Sequence, residues 1–340
     1  MKLLVTGGCG FIGSNFIRYM LEKYPNYQIV NFDKLTYAGN PANLKDLENN
    51  PNYSFVQGDI CDSRAVNEVM KEVDQVVHFA AESHVDRSIE DGSVFVRTNV
   101  LGTNTLLQSA LANNIKKFIH ISTDEVYGSI KKGSFTEKDN LNPSSPYSSS
   151  KAGSDLLALS YYTTYGLPVC VTRCTNNFGP YQYPEKLIPF FISRLMEGNK
   201  VPVYGTGLNI RDWIYVEDHC SAVDFVLHNG SSGEVYNIDG GNELTNLEIT
   251  HRLLKMLGKD ESSIEYVEDR KGHDFRYALD GSKLEKMGWK PKYDFDTALE
   301  QTVRWYVENR WWWGPLKHLS SVQAGCLDLT SAKCFLKLSN

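Results

Sequence analysis

Thr123-Asp124-Glu125, followed by Tyr147-Ser-Ser-Ser-Lys151, sets a hydroxyl, two carboxyls, a phenol and an ammonium within thirty residues of one another. An acid beside a base suits an elimination, and a Tyr/Lys pair suits an oxidation in which the phenol takes a hydroxyl proton. Residues four apart on a helix share a face, so Tyr147 and Lys151 should point into the same site. A free Tyr titrates near ~10, so a phenolate at neutral pH needs a depression of about three units, roughly 4 kcal/mol. The Lys151 ammonium one turn away is the expected source. Tyr-x-x-x-Lys alone also describes many exposed helical faces, so its meaning depends on the elements around it.

The helix carrying the pair can be read from its ends. Pro143-Ser144-Ser145-Pro146 offers a Ser cap with Pro at the first helical position, and Gly166 stands where a helix should stop. The N-terminus supplies a second site. A short apolar strand, Lys2 to Thr6, runs into Gly7-Gly8-Cys9-Gly10-Phe11-Ile12-Gly13 and then an amphipathic stretch to about Tyr24. Strand, glycine turn and helix form a dinucleotide fingerprint. Gly7 makes the turn, Gly10 lets a pyrophosphate approach the backbone, Gly13 lets helix pack on strand, and the helix N-terminus meets the phosphates. A second strand, Gln28 to Phe32, ends in Asp33, twenty residues beyond Gly13. An acid there binds ribose hydroxyls and disfavours a 2′-phosphate, so NAD is expected rather than NADP, although neighbouring Lys34 softens that preference.

Further strands are predicted at Tyr53 to Gln57, Val76 to Phe79, Phe118 to Ile121 and Val169 to Arg173, with helices between them. Such alternation predicts an α/β protein with a Rossmann-type, doubly wound parallel sheet. Asp59-Ile60, Ala80-Ala81-Glu82-Ser83-His84 and Thr123-Asp124-Glu125 each follow a strand, and thus fall on the carboxyl edge where open sheets bind ligands. For Asp59 a plain connecting loop is an equal reading. Beyond about Asn177 the alternation gives way to Gly179-Pro180-Tyr181-Gln182-Tyr183-Pro184-Glu185-Lys186, the expected start of a smaller, substrate-facing domain.

With 340 residues, 41% hydrophobic and 22% charged, the chain has room for two globular domains. No run approaches the ~18 apolar residues of a membrane span, and Met1-Lys2 leads into a strand rather than a signal peptide, so a cytoplasmic location is expected. Seven irregularly spaced cysteines form neither a metal-ligand pattern nor a disulfide framework; they read as reduced and structural, and no metal is expected. A net charge of −6 argues against a nucleic-acid binder.

Taken together, the glycine loop, Asp33-Lys-Leu-Thr-Tyr-Ala-Gly-Asn40, Ala80-Ala-Glu-Ser-His-Val-Asp-Arg-Ser88, Thr123-Asp-Glu-Val-Tyr-Gly128 and Tyr147 to Lys151 form a recognisable pattern. Asn176-Asn-Phe-Gly-Pro-Tyr-Gln-Tyr-Pro-Glu-Lys-Leu-Ile-Pro189, Arg211-Asp-Trp-Ile-Tyr-Val-Glu-Asp218 and Gly272-His-Asp-Phe-Arg276 complete it. From Met1 to about Lys317 the chain resembles the extended short-chain dehydrogenase/reductase family, in the branch that modifies nucleotide sugars. The resemblance implies an NAD-dependent hydro-lyase that dehydrates dTDP-glucose to the 4-keto-6-deoxy sugar nucleotide. It assigns Tyr147, with Lys151, to the proton of the 4-hydroxyl and Thr123 to a hydrogen bond with that oxygen. Glu125 is the base at C5, and Asp124 the acid for the departing 6-hydroxyl. It extends the cofactor set to Phe11, Ile12, Lys34, Leu35, Thr36, Asp59, Ile60, Ala80, Ala81, Thr98 and Asn177. For the substrate it implies Ser83, Asn176, Lys186, Leu187, Arg211, Asn246 and His273, with Pro202 and Tyr204 at the base.

The same resemblance implies a homodimer through helices near residues 92 to 112 and 146 to 165. It also implies an NAD-binding domain over 1–178 with a return segment near 212–238, and a sugar-nucleotide domain over 179–211 and 239–317. Residues 318–340 leave the pattern and receive no function. Trp311-Trp312-Trp313 is expected to pack the C-terminal helix. Other readings remain open at this point: an epimerase, which uses Tyr147 and Lys151 without the carboxyl pair; a dehydratase of a UDP- or CDP-linked sugar; and an NAD-sensing regulator, against which the Tyr/Lys pair speaks.

Overall fold

Short apolar runs alternate with amphipathic ones along the first half of the chain, and the backbone follows them. In the computed structural model, which describes residues 1–269 and 274–317, the first strands are β1 (Lys2–Thr6), β2 (Gln28–Asp33), β3 (Tyr53–Gln57), β4 (Gln75–His78), β5 (Lys117–Thr123) and β6 (Val169–Cys174). They are followed by β7 (Asn176–Phe178), β8 (Val201–Tyr204), β9 (Ile210–Tyr215), β10 (Val235–Ile238), β11 (Glu243–Thr245) and β12 (Ile264–Val267). The helices used below are α1 (Phe11–Lys23), α2 (Ser63–Met70), α3 (Val85–Glu90), α4 (Gly92–Phe95), α5 (Thr103–Ala112), α6 (Pro146–Tyr165), α7 (Leu187–Met196) and α8 (Val216–Asn229).

Among the described residues, seven strands form one parallel sheet in the order β3-β2-β1-β4-β5-β6-β10. Helices cover both faces, and β1 shows how: Leu3 and Val5 pack with Phe16 and Ile17 of α1 and Val223 of α8, while Leu4 between them faces Leu106 and Leu107 of α5 and Ala158 of α6. All three strand residues are fully buried, the signature of a strand covered on both sides. This is the expected doubly wound α/β sheet. A smaller sheet, β11-β9-β7, and the pair β12-β8 stand beyond it. The chain returns to the large sheet through α8 and β10, whereas β9 remains in the smaller one.

Helix α6 begins and ends on the residues that its sequence marks. Ser145 caps it through the Ser148 N–H, the Ser148 hydroxyl accepts in turn from the Ser145 N–H, Pro146 opens the first turn, and Gly166 closes the helix in a left-handed conformation. Strand β5 runs two residues beyond the expected Ile121, because its pairing with β6 continues to Thr123 opposite Cys174. Thr123 is thereby fixed by sheet hydrogen bonds rather than carried on a loop. In the tryptophan run, Trp312 and Trp313 are buried as expected, but Trp311 is 57% exposed.

Beneath the carboxyl edge, β5, β6 and α6 share a buried polar network. Arg173 donates through Nε to Asp155 (2.9 Å) and through Nη1 to the Tyr127 hydroxyl (2.7 Å), which donates in turn to Asn237 (3.0 Å). His120 completes it, with Nε2 at 3.3 Å from Asp155 and 3.1 Å from the Ser154 hydroxyl. Burial lowers His120 to about 4, aided by the Lys151 and Arg173 charges, so it is neutral at pH 7. Burial alone would raise Asp155, but hydrogen bonding to His120 and the charge of Arg173 outweigh it and hold the carboxyl below its ordinary range. Removing one partner of a buried ion pair costs more than the pair contributes, because the other charge is stranded. Arg173→Met should therefore destabilise the fold by about 3–5 kcal/mol, seen as a lowered denaturation midpoint, whereas substitution at exposed Glu300 should leave it unchanged.

Candidate active site

Strand order reverses between β1 and β4, which leaves a crevice beyond their carboxyl ends. Gly7 turns there at φ +70°, and a Cβ on it would lie 2.6 Å from the Ala80 nitrogen. A Cβ on Gly13 would lie 2.4 Å from the Gly7 carbonyl oxygen. Neither position tolerates a side chain. The first helical hydrogen bond of α1 runs from the Ser14 N–H to the Gly10 carbonyl, so the N–H groups of Phe11, Ile12 and Gly13 have no helical acceptor. Gly10, as the cap, offers no side chain to take them. This end of α1 opens into a cavity of ≈ 360 Å³ and suits a diphosphate.

Asp33 lies on the same cavity wall, its carboxylate oriented by the N–H groups of Cys9 (2.9 Å) and Leu35 (2.8 Å). Lys34 is paired with Asp59 at 2.8 Å, so its charge is already matched and the preference for an unphosphorylated ribose rests on Asp33. Thr36, Asp59, Ile60, Ala80, Ala81, Thr98 and Asn177 line this cavity too. Leu35 does not line it: at φ 59° its N–H turns to Asp33 while its side chain packs on the core. The donor set and the glycine cradle thus fit NAD.

The same cavity reaches Thr123, Asp124, Glu125, Tyr147 and Lys151 at the ends of β5 and along α6. The Thr123 hydroxyl donates to Asp124 Oδ1 at 3.1 Å and accepts from the Glu125 N–H at 3.3 Å, which fixes the turn holding both carboxyls. Asp124 is 3% exposed and its Oδ2 has no partner. Burial, then the neighbouring Glu125 carboxylate, raises Asp124 to about 8, so it carries a proton at neutral pH. Burial also raises Glu125, while Lys186 and Arg211 pull it back toward ionisation.

One expectation needs correction. Tyr147 is not depressed by Lys151: burial, then the neighbouring Glu125 carboxylate, push the phenol well above its ordinary value. Burial lowers Lys151 to about 8, and its ammonium donates to the Ile121 carbonyl at 2.7 Å. Both side chains face one cavity, as the four-residue spacing requires, and Lys151 is tethered to strand β5.

A second cavity of ≈ 740 Å³ adjoins the first, and Glu125, Asn176, Glu185 and Lys186 line both. Leu187, Pro202, Tyr204, Arg211 and Asn246 line the second, and Ser83 lines the first beside Lys186, whose ammonium approaches the Ser83 carbonyl at 3.5 Å. The Arg211 guanidinium lies 4.5 Å from the Tyr277 ring centre and donates to the Asp274 carbonyl at 2.9 Å. His273 lies outside the described residues, as do residues 318–340 with Cys326 and Cys334. Among the described residues no cluster of His, Cys, Asp and Glu could hold a metal.

Two wall residues carry no local sequence signal for a site. Trp312 donates from its indole to Asn43 Oδ1 at 2.7 Å and faces the first cavity, brought there across most of the chain length. Cys174 lines the cavity beneath Tyr147, its thiol pushed to about 12 by burial and by Asp124. Its place at the carboxyl end of β6, on the edge that holds the other groups, is the signal that could have found it.

An open parallel sheet with this crevice, an acid/base pair and a buried Tyr/Lys pair defines an NAD-dependent Rossmann enzyme that combines oxidation with proton transfers. The family model described as GDP-mannose 4,6 dehydratase matches residues 4–302, and the chain belongs to that family. A dTDP-glucose 4,6-dehydratase of Streptomyces antibioticus is 53% identical over 323 residues, covering 93% of this chain and 96% of its own. The structure of a dTDP-glucose 4,6-dehydratase from Streptomyces venezuelae, solved with NAD bound, superposes with a TM-score of 0.91 at 55% identity over 93% of this chain and 100% of its own. A UDP-glucose 4-epimerase of Thermotoga maritima is more distant, with a TM-score of 0.85 at 30% identity over 91% and 99%.

The elevated Asp124 makes stability depend on pH. Below about pH 4 the group is protonated in both states; between about 4 and 8 the unfolded chain loses the proton while the folded one keeps it, so stability falls as pH rises, and above 8 it levels. Asp124→Asn removes that penalty and leaves a buried amide with two N–H donors to satisfy. The variant should be more stable than the parent at pH 7 by about 1–3 kcal/mol and equal to it or weaker at pH 4, as read from denaturation curves at both values.

Proposed function

We infer that the protein is a hydro-lyase that converts dTDP-glucose to dTDP-4-keto-6-deoxy-glucose with bound NAD. The observation that carries this reading is the buried, proton-bearing Asp124 next to Glu125, in the cavity that also holds Tyr147, Lys151 and the glycine crevice. More than half identity to enzymes of that name supports it. Gly7, Gly10, Gly13, Asp33 and the free N–H groups of α1 hold NAD, which supplies a two-electron acceptor that returns what it takes, so the outcome is net dehydration.

Tyr147 takes the proton of the sugar 4-hydroxyl, and Thr123 hydrogen-bonds that oxygen. Because burial opposes a phenolate here, the proton is lost only as positive charge faces the ring, and Lys151 is the nearest such group on α6. Once C4 is a ketone, the C5 hydrogen is acidic and Glu125 removes it. Lys186 and Arg211 favour the ionised Glu125 that this needs. Hydroxide leaves poorly, so Asp124 delivers its proton to the departing 6-hydroxyl. Lys186, Arg211, Asn176 and Asn246 bind the diphosphate, Arg211 through its planar fork; Pro202 and Tyr204 hold the base.

The enzyme works as a cytoplasmic homodimer. No helix among the described residues is long and apolar enough to cross a membrane. Val96 and Leu101 beside α5, and Leu156 on α6, are each more than half exposed, an apolar surface that a second copy would cover. Leu156→Glu should shift the mass in solution from twice the chain to once, measured by sedimentation.

The reading is tested by Asp124→Asn with Glu125→Gln. Formation of the 4-keto-6-deoxy product from dTDP-glucose should fall by about 10²–10⁴-fold, while addition of substrate still generates the absorbance of reduced nicotinamide. Full turnover by the double variant would point to an epimerase.

A further inference from the structure

A net dehydration of this kind needs its cofactor to stay in place between oxidation and reduction, and one cluster outside the chemistry is placed to ensure that. Tyr37, in the loop after β2, donates its hydroxyl to Glu185 Oε1 at 2.9 Å. Glu185 belongs to the segment leading into α7, 148 residues away. The Arg87 guanidinium of α3 stacks on the Tyr37 ring at 3.7 Å from its centre and brings Nη2 to 3.8 Å from Glu185 Oε2. His84 Nε2 stands 3.7 Å from the same oxygen, and the Tyr183 ring meets Tyr37 edge-on at 5.5 Å. Three segments that carry no catalytic group are thus joined through one carboxylate that is only 15% exposed.

The location gives the cluster its meaning. Tyr37 follows Asp33 and lines the NAD cavity, whereas Glu185 lines both cavities and precedes Lys186. The hydrogen bond therefore closes one side of the cofactor cavity using the wall of the substrate cavity. The loop it holds is conformationally restrained at its base: Leu35 adopts φ 59°, and a Cβ on Gly39 would meet Asp33 Oδ1 at 2.9 Å. With one end tied to Asp33 and its middle tied to Glu185, the loop cannot lift without breaking a hydrogen bond to a charged acceptor.

We propose that Tyr37, Glu185 and Arg87 form a latch that retains NAD and tightens when a nucleoside diphosphate occupies the adjoining cavity. The inference rests on the assignment of that cavity to a nucleotide sugar. An anion held by Lys186 orders the segment that presents Glu185, and the ordered carboxylate keeps Tyr37 down. Linkage requires the converse too: bound NAD, by holding Tyr37 down, raises affinity for the diphosphate by the same factor. Tyr37, Glu185 and Arg87 are positioning residues; none touches the reacting atoms.

The test uses the holoenzyme and follows NAD release after dilution into a competing trap, with and without thymidine diphosphate. Tyr37→Phe, which keeps the ring beneath Arg87 and removes the hydroxyl, should speed NAD release by about ten- to hundredfold. Its kcat at saturating NAD should match the parent, and thymidine diphosphate, which slows release from the parent, should no longer do so. Glu185→Gln, which retains an acceptor for Tyr37 but loses the pairing with Arg87 and His84, should lie between the two. Release from Tyr37→Phe at the parental rate overturns the latch, as does a kcat that falls in step with retention, since that marks general disruption. If thymidine diphosphate leaves parental release unchanged although it binds, the coupling is overturned; if it does not bind, the nucleotide-sugar assignment fails, and the NAD-release comparison still decides the latch.

Discussion

The reversal of strand order between β1 and β4 is the constraint on which the rest of the molecule depends. It forces the crossovers to leave in opposite directions and opens a gap that no side chain of the sheet fills. The sheet's contribution to the cavity then sits on that edge because the strands are parallel: Gly7 after β1, Asp33 at the end of β2, Ala80 after β4, Thr123 at the end of β5 and Cys174 at the end of β6. Helix α6 approaches from the side. Its register is fixed by the Ser145 cap, by Gly166, and by the Lys151 ammonium bonded to the Ile121 carbonyl in the middle of the sheet.

Gathering ionisable groups on a buried edge has an electrostatic consequence. Burial is the largest influence on Asp124, Glu125, Tyr147 and Lys151 alike, and in each case it favours the uncharged form. The site as a whole is therefore held near neutrality, and charge enters with ligands or from the cations of the second cavity. Beneath it the pattern differs. Arg173 and Asp155 remain an ion pair because Tyr127, Asn237 and His120 supply the hydrogen bonds that water would otherwise give. That network ties β5, β6 and α6 together below the reacting groups, so the positions of Thr123 and Lys151 are fixed by contacts independent of the cavity's own occupancy.

What is legible in the sequence is what obeys local rules. The glycine turn, the acid ending β2 and the ends of α6 depend on backbone conformations that only certain residues permit, and the parallel sheet follows from the spacing of its apolar runs. Features made by contacts distant in sequence are not legible in that way. Trp312 reads as packing and does pack, yet it also faces the NAD cavity, because the 3₁₀ turn after β2 and the C-terminal helix meet only in three dimensions. Tyr37 and Glu185 each lie in a recognisable stretch, but nothing in either stretch says that they touch. The ionisation of Tyr147 is illegible for a different reason: spacing reports which face a side chain shares, while its proton affinity depends on desolvation and on charges supplied by other strands.

The roles proposed for neighbouring Asp124 and Glu125 are opposite, and the backbone between them places the two carboxyls in different surroundings. The chain leaves β5 at Thr123 in an extended conformation and enters a 3₁₀ turn at Asp124. A turn of that kind sends successive side chains in different directions. Asp124 lines only the inner cavity and hydrogen-bonds to Thr123; the Arg211 charge reaches it but does not offset burial, so its neutral form prevails. Glu125 reaches the wall shared with the second cavity, where Lys186 and Arg211 draw it toward its charged form. Two carboxyls adjacent in sequence thus share the Arg211 charge, but only Glu125 also feels Lys186. The repulsion between them, which would be a liability on a surface, here raises the more buried partner and helps to keep Asp124 protonated, as the acid role proposed for it requires.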